Sequence, residues 1–516
     1  MIGALLAAVL GGMAGADLGM AELQQAYAAG RLSAEAVARA ELARIAALDR
    51  AGPRLNSFIA LDPTAIAQAR QSDARRRRGQ AGPLDGAPVA VKDNIEVAGG
   101  LPTTAGSLAL AANFAAADAT VVKRLRAAGA VILGKTNLSE WGNFRSTRAV
   151  SGWSAVGGLT RNPYALDRSA CGSSSGSATA VAAGLAMVAL GTETDGSIVC
   201  PAAAAGVVGL KPTLGLVPRT GVIPISPQQD TVGPIGRSVA DVAAVLAVIA
   251  GSDPADPATQ QADSRKADYL AALRPDALKG VRIGVLRGQV RGPPALDAVF
   301  DQALATLARA GAVLVPVDAP FRPRMEVLRE AETAALRSEF RAAIGAYLAA
   351  APPGVAVRDL KGLIAFDAAS PRESALFGQE IFEAAAVAPA ASAARENARR
   401  LAGPEGLDRM FERGRVSAIV AQTGAPAPVV DLVNGTAFLG SPSTLPAVAG
   451  YPHLTVPMGE VDGLPVGLSF IGPAWSDAQV LAYGFAFEQA AGVRLRPLFR
   501  PSVPPSPALA GVVDPR

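Results

Sequence analysis

Residues 171–198 read CGSSSGSATAVAAGLAMVALGTETDGSI: two glycine-serine loops joined by an almost wholly apolar segment. Glycine-serine stretches are commonly linkers, but these lead straight into strongly apolar sequence, which linkers do not. Ala180 to Leu190 carries no polar residue to mark a solvent face, so it predicts a helix buried in the centre of the fold. The loop glycines permit positive φ and close backbone approach. Around the second loop the successive amides of Thr194, Asp195 and Gly196 could converge on an oxyanion, with Ser197 beside them, as acyl transfer requires. Ser173 and Ser197 stand 24 positions apart. A serine hydroxyl needs a base to attack at neutral pH, yet the chain has one histidine, His453. Lys92, in Val91-Lys-Asp-Asn94 and 81 positions before Ser173, is the leading candidate for that base. A turn serine is the plain reading of Ser197 alone; two such loops with a buried lysine favour the nucleophile.

Outward from this stretch, the chain alternates helices and strands. Leu23 to Asp49 is helical with Ser33 as an internal N-cap, and Pro63 to Arg78 forms another helix. Val89 to Val91 begins a short buried strand ending at Lys92. Val121 to Ala128 is a helix stopped by Gly129, and Ala130 to Leu133 is a strand. Later strands are expected at Arg282 to Leu286, Ala312 to Val317 and Val416 to Gln422, with a helix from Ala295 to Ala310. Asp462-Gly463 reads as the turn of a hairpin between Leu454 to Met458 and Val466 to Ile471. Helical stretches at Arg324 to Leu348 and Arg372 to Leu401, the second divided by Pro389, suit a cap. Pro254 to Ala262 reads as an exposed connection. The rhythm predicts an α/β fold whose mixed, mostly parallel sheet is covered by helices.

Half of the 516 residues are hydrophobic and 18% are charged, which suits a large core. The net charge of +4 is small for this length and points to no nucleic-acid partner. Arg75 to Arg78 form one basic run, read as a solvated helix face. Cys171 and Cys200 flank the serine loops and are read as a packed thiol pair in preference to a bridge. So few histidines and cysteines give a metal site almost no support, and no cofactor is expected. Gly129-Ala-Val-Ile-Leu-Gly-Lys-Thr136 matches the P-loop pattern formally, but Ala130 to Leu133 are strand residues of a sheet interior and cannot wrap a phosphate. Residues 1–16 are apolar and end Ala14-Gly-Ala16, which reads as a possible signal peptide. Export to the periplasm or medium then follows; otherwise the protein is cytoplasmic. No later span has the length and apolarity of a membrane helix. Residues 17–500 are expected as one domain, with a proline-rich flexible tail over 501–516.

Gly86-Ala-Pro-Val-Ala-Val-Lys-Asp-Asn94, Gly134-Lys-Thr-Asn-Leu-Ser-Glu-Trp141, the two serine loops, Gly209-Leu-Lys-Pro-Thr213, Gln229-Asp-Thr-Val-Gly-Pro234 and Gly463-Leu-Pro-Val-Gly467 follow one another in order. Together they resemble the amidase signature family over roughly Leu23 to Pro497, and its bacterial peptide amidase members most of all. The resemblance implies a single large α/β/α domain and a Ser-Ser-Lys triad. It makes Ser197 the nucleophile, Ser173 the bridging serine with a cis peptide bond, and Lys92 the base. Most members carry Gly-Gly-Ser-Ile-Arg at the nucleophile, where this chain has Asp195-Gly-Ser-Ile-Val199. Loss of the arginine argues against the tRNA-linked role, in which the amidase feeds ammonia to misacylated tRNA.

The chemistry so implied is hydrolysis of a linear carboxamide through an acyl-enzyme. C-terminal peptide amides, released as free acid plus ammonia, are the favoured substrates. A broad aryl, aliphatic or fatty-acid amide hydrolase is the alternative, and a non-catalytic binding protein on the same fold is the alternative of another class. Desolvation would have to lower the Lys92 pKa by several units for it to act as a base. Ser174, Asn143 and Trp153 join Thr194, Asp195 and Gly196 as candidate oxyanion or substrate contacts. His453 is read as a structural or surface histidine, and a monomer is plausible.

Overall fold

The computed structural model describes residues 18–318 and 322–503. The expected signal segment, and nearly all of the proline-rich tail, lie outside the described residues. Among the described residues thirteen strands follow in chain order: β1 (Phe58–Leu61), β2 (Pro88–Lys92), β3 (Val131–Thr136), β4 (Trp153–Ser154), β5 (Gly158–Leu159), β6 (Val188–Glu193), β7 (Val208–Lys211), β8 (Thr231–Gly236), β9 (Arg282–Leu286), β10 (Val313–Val317), β11 (Ala418–Gln422), β12 (His453–Val461) and β13 (Leu464–Ile471). All but the β4–β5 ribbon join one 11-stranded sheet, ordered β1-β3-β2-β6-β8-β7-β12-β13-β11-β9-β10, with helices packed around it.

The sheet is mixed, as expected, but the parallel majority is not there. Parallel ladders occupy two flanks, β3-β2-β6 on one and β11-β9-β10 on the other. The centre, from β6 to β11, is antiparallel, and so is the edge pair β1-β3. Helical crossovers build the flanks, whereas the Asp462-Gly463 turn folds β12 onto β13 as a local hairpin. Alternation of helix and strand reveals the crossovers and is blind to such local reversals.

Ala180 to Leu190 corrects a second expectation. The helix there runs only from Ser175 to Ala182; Gly184, at φ +64°, turns the chain, and β6 begins at Val188. A central strand buried on both faces loses its period of two and becomes as uniformly apolar as a buried helix. Elsewhere the elements fall close to expectation. Ser33 caps its helix through a 3.1 Å bond from the Ala36 amide, and residues on either side of Pro389 form two helices, Glu380–Ala386 and Ser392–Ala402. The helix Leu360–Ala369 is an addition to the expected elements. Arg75 and Arg76 are not a bare solvated face: Arg75 pairs with Asp85 at 2.8 Å, and Arg76 lies over the Tyr27 ring. The exposed connection after Pro254 is broken by buried Asp256, which ion-pairs with Arg219 at 2.7 Å.

The parallel register positions the site. Val91 of β2 pairs with Leu190 of β6, so Lys92 and Thr192 emerge together at the carboxyl ends of neighbouring strands, where open α/β sheets place their ligands. Above that edge, the long helix Arg322–Ala350 and the helices Leu360–Ala369 and Glu380–Ala386 share an apolar cluster with Trp141 and Ile223.

Candidate active site

Lys92 ends β2 with its side chain fully buried. Its Nζ lies 2.8 Å from Ser173 Oγ, 2.9 Å from Thr192 Oγ1 and 3.1 Å from the Thr192 carbonyl. Burial pushes its pKa down to about 7, against the opposing pull of Glu193 and Asp230. Asn94, two residues on, donates to Thr192 Oγ1 at 2.9 Å and so fixes the hydroxyl beside the amine. Lys135, in the P-loop-like stretch, forms a fully buried ion pair with Asp93 at 2.8 Å. It anchors the turn that carries Lys92, and it sits within β3 as the strand reading required.

Ser173 follows a cis peptide bond from Gly172. The Ser139 amide donates to its carbonyl at 3.0 Å, and a Cβ on Gly172 would stand 2.1 Å from Ser139 Oγ, so only glycine fits there. Ser174 is buried with its hydroxyl against the Thr192 backbone: it donates to the Thr192 carbonyl at 3.1 Å and accepts from the Thr192 amide at 3.2 Å. Its amide donates to the Ser197 carbonyl at 3.0 Å. Ser174 thus laces the two serine loops together from within.

Ser197 is buried save for 9% of its surface and precedes the helix Val199–Ala204. Glu193 Oε2 accepts the Ile198 and Val199 amides at 2.7 and 3.1 Å, capping that helix. Gly196 takes φ +78°, a conformation that favours glycine. Thr194 donates its hydroxyl to Asp230 at 2.6 Å. Asp195 accepts from Ser443 Oγ at 2.5 Å and from Thr444 Oγ1 at 2.8 Å. A narrow cleft lined by Asn94, Gly142, Ser173, Thr192, Thr194 and Arg219 opens onto these loops. Cys171 and Cys200, expected as free thiols, form a disulfide. Each lies within three residues of a serine, so the loop packing that joins the Ser174 amide to the Ser197 carbonyl also brings the sulfurs into bonding range.

Asn143 is exposed at φ +70°, next to the cleft-lining Gly142. Trp153 packs edge-on against Phe377 at 5.2 Å, in an apolar cluster with Val150 and Ala155. His453 is fully buried in β12, with Nε2 2.7 Å from Ser469 Oγ; burial and nearby Lys211 push its pKa down to about 3. It is a structural histidine. Sequence reasoning passes over Thr192, Gln229, Asp230, Ser443 and Thr444. The first three sit in or beside motifs already marked, whereas Ser443 and Thr444 open the short helix Thr444–Ala449, far along the chain from the serine loops.

A buried amine against a serine hydroxyl, beside a second serine in an amide-rich loop, defines a site suited to acyl transfer without histidine. The amidase family profile matches residues 36–481, and the chain belongs to that family; it is an amidase, a hydrolase of the C–N bond of amides. The native peptide amidase of Stenotrophomonas maltophilia, a solved structure, is 51% identical and superposes with a TM-score of 0.87, covering 94% of this chain and 99% of that one. A probable amidase of Arabidopsis thaliana is 37% identical over 88% of this chain and 86% of its own length. A glutamyl-tRNA(Gln) amidotransferase component of Symbiobacterium thermophilum is also 37% identical, over 92% and 96%.

Proposed function

We propose that Lys92, Ser173 and Ser197 form the catalytic triad and that the substrate is the C-terminal carboxamide of a peptide. The contact between buried Lys92 and Ser173 carries the reading. A neutral amine has two N–H bonds and one lone pair. The Thr192 carbonyl can only accept, and Thr192 Oγ1 takes the second N–H, which leaves the lone pair for the Ser173 proton. Lys92 takes that proton as Ser173 takes one from Ser197, and Ser197 Oγ bonds to the amide carbon. The amides at Thr194, Asp195 and Gly196 receive the oxyanion. As the intermediate collapses, the proton returns through Ser173 to the leaving nitrogen and ammonia departs. Water, losing a proton along the same path, then cleaves the ester to free acid and Ser197.

The peptide-amide assignment is supported by the 51% identity to a peptide amidase and by the Asp195 and Val199 departures at the nucleophile. Ammonia release measured side by side on peptide amides, free peptides, acyl ethanolamides and simple amides tests it, with peptide amides expected to turn over fastest. Ser197→Ala should abolish release in a folded protein; retained turnover refutes the triad. Co-purification with a second protein chain would instead favour the tRNA-linked role. The Cys171–Cys200 bridge suits an oxidising compartment, in keeping with export through residues 1–16. Recovery of the protein from the periplasmic or extracellular fraction checks that placement; among the described residues no helix is long and apolar enough to cross a membrane.

A further inference from the structure

Gln229, in the loop before β8, is 1% exposed and belongs to no step of the chemistry above. Its side-chain amide joins three separate elements. Nε2 donates to the Thr194 carbonyl at 2.9 Å and to Glu332 Oε1 at 2.7 Å, and Oε1 accepts from Arg395 Nη1 at 2.6 Å. The orientation of the amide is not interchangeable. A carbonyl oxygen cannot donate and a guanidinium cannot accept, so nitrogen must face Thr194 and oxygen must face Arg395.

We propose that Gln229 is a positioning residue for the oxyanion-binding amides and that it passes to them the seating of the cap helices. The proposal rests on the reading of Ser197 as nucleophile with the 194–196 amides as its oxyanion site. In a trans peptide the C=O and N–H vectors point to opposite sides of the chain. Holding the Thr194 carbonyl toward Gln229 therefore turns the Asp195 N–H away from the cap. The neighbouring side chains cannot compensate, because Thr194 is tied to Asp230 and Asp195 to Ser443 and Thr444. The direction of this one peptide plane is left to Gln229.

The other side of the amide belongs to the cap. Glu332 lies on the helix Arg322–Ala350 and Arg395 on the helix Ser392–Ala402. The two helices are locked together by Arg395 on Glu339, at 2.8 Å from Nε and 2.7 Å from Nη2, and Ser226 donates to Glu339 at 2.5 Å. A shift of either helix moves a partner of Gln229, and with it the Thr194–Asp195 plane. The cap thereby governs transition-state binding without touching the reacting atoms.

Gln229→Met removes the donor to Thr194 and Gln229→Glu replaces it with a carboxyl group, both keeping the length of the side chain; Arg395→Lys shortens the donor that reaches Oε1 from the far side. Each is assayed for kcat and KM on a peptide amide, for inhibition by a peptide aldehyde, whose serine adduct carries an oxyanion, and for cooperative thermal unfolding. Loss of one oxyanion donor typically costs about a hundredfold or more in kcat, so a misdirected one is expected to cost about ten- to a hundredfold. KM should stay within about threefold, and aldehyde inhibition should weaken in step with kcat/KM. Arg395→Lys should show the same pattern more weakly, and it decides the matter if both Gln229 variants unfold. Unchanged kcat in a folded variant, or lost kcat with aldehyde inhibition intact, overturns the proposal. Ser197→Ala run in parallel separates the two readings: turnover there sinks the mechanism, whereas a dead Ser197→Ala beside fully active Gln229 variants sinks only the role of Gln229.

Discussion

Lys92 Nζ meets the carbonyl and hydroxyl oxygens of Thr192 and the Ser173 hydroxyl, inside a core that disfavours its charge. Protonation fills the lone pair, so kcat/KM should rise with pH through about 7, the value to which burial lowers the amine. Ammonia release followed from acid to alkaline pH checks this; a rising limb near the ordinary lysine pKa of about 10.4 would contradict it. Lys92→Arg should be inactive, since a guanidinium stays protonated. His453 should add no limb, because it is neutral down to about pH 3. His453→Gln is expected to keep kcat while lowering stability by about 1–3 kcal/mol through the disturbed contact to Ser469; a large loss of kcat at unchanged stability would reopen its role. The triad candidates are legible because each lies in a motif of unusual composition. Ser443 is not, since its importance arises from Asp195, 248 positions away.

Between elements, the Cys171–Cys200 bridge ties the two serine loops across a separation of 29 residues. Closing a loop of that size should stabilise the fold by about 3–4 kcal/mol on chain-entropy grounds. Cys200→Ser, or reduction of the native protein, should move the denaturant midpoint down accordingly; an unmoved midpoint would show that the bridge contributes nothing. The pairing escapes a reading of the chain because two cysteines in a long sequence carry no framework pattern, and proximity in space has to come from the loops. The buried strand β6 escapes it for a related reason. Its immersion on both faces erases the periodicity that would identify it, leaving Gly184 as the single written sign of a break.

For the molecule as a whole, a buried guanidinium is one of the points at which the cap is fastened to the core. Arg145 meets Glu140 at 2.7 Å and Glu373 at 3.1 Å, with Asp367 at 4.0 Å, and all four side chains are nearly inaccessible. Removing the arginine leaves buried carboxyls unpaired, so Arg145→Met should cost about 3–5 kcal/mol and expose the segment around Glu373 to proteolysis. Asp367 behaves differently, because burial and Glu373 raise its pKa to about 7 despite Arg145. Its folded-state pKa lies above the unfolded one, so the stability it contributes is present in acid and is lost as pH rises toward 7. Asp367→Asn should therefore stabilise more at pH 8 than at pH 5 in paired denaturant titrations; equal effects would refute the shift. The α/β class and the cap helices other than Leu360–Ala369 can be read from the chain, since both follow from local periodicity. The strand directions at the centre of the sheet and the buried charge cluster depend on which distant segments meet.

The anchors of Asp195 lie between β11 and β12, late in the chain. A ribosome-bound chain that has emerged only through β11 already displays Lys92, Ser173 and Ser197, yet the loop beside Ser197 still lacks both hydroxyls that hold its aspartate. The order of synthesis thus sets the order of competence. If Ser197 is the nucleophile as proposed, the loop that carries it gains the two hydroxyls that anchor Asp195 only after β11 has been made, and a product terminated before Ser443 would lack them.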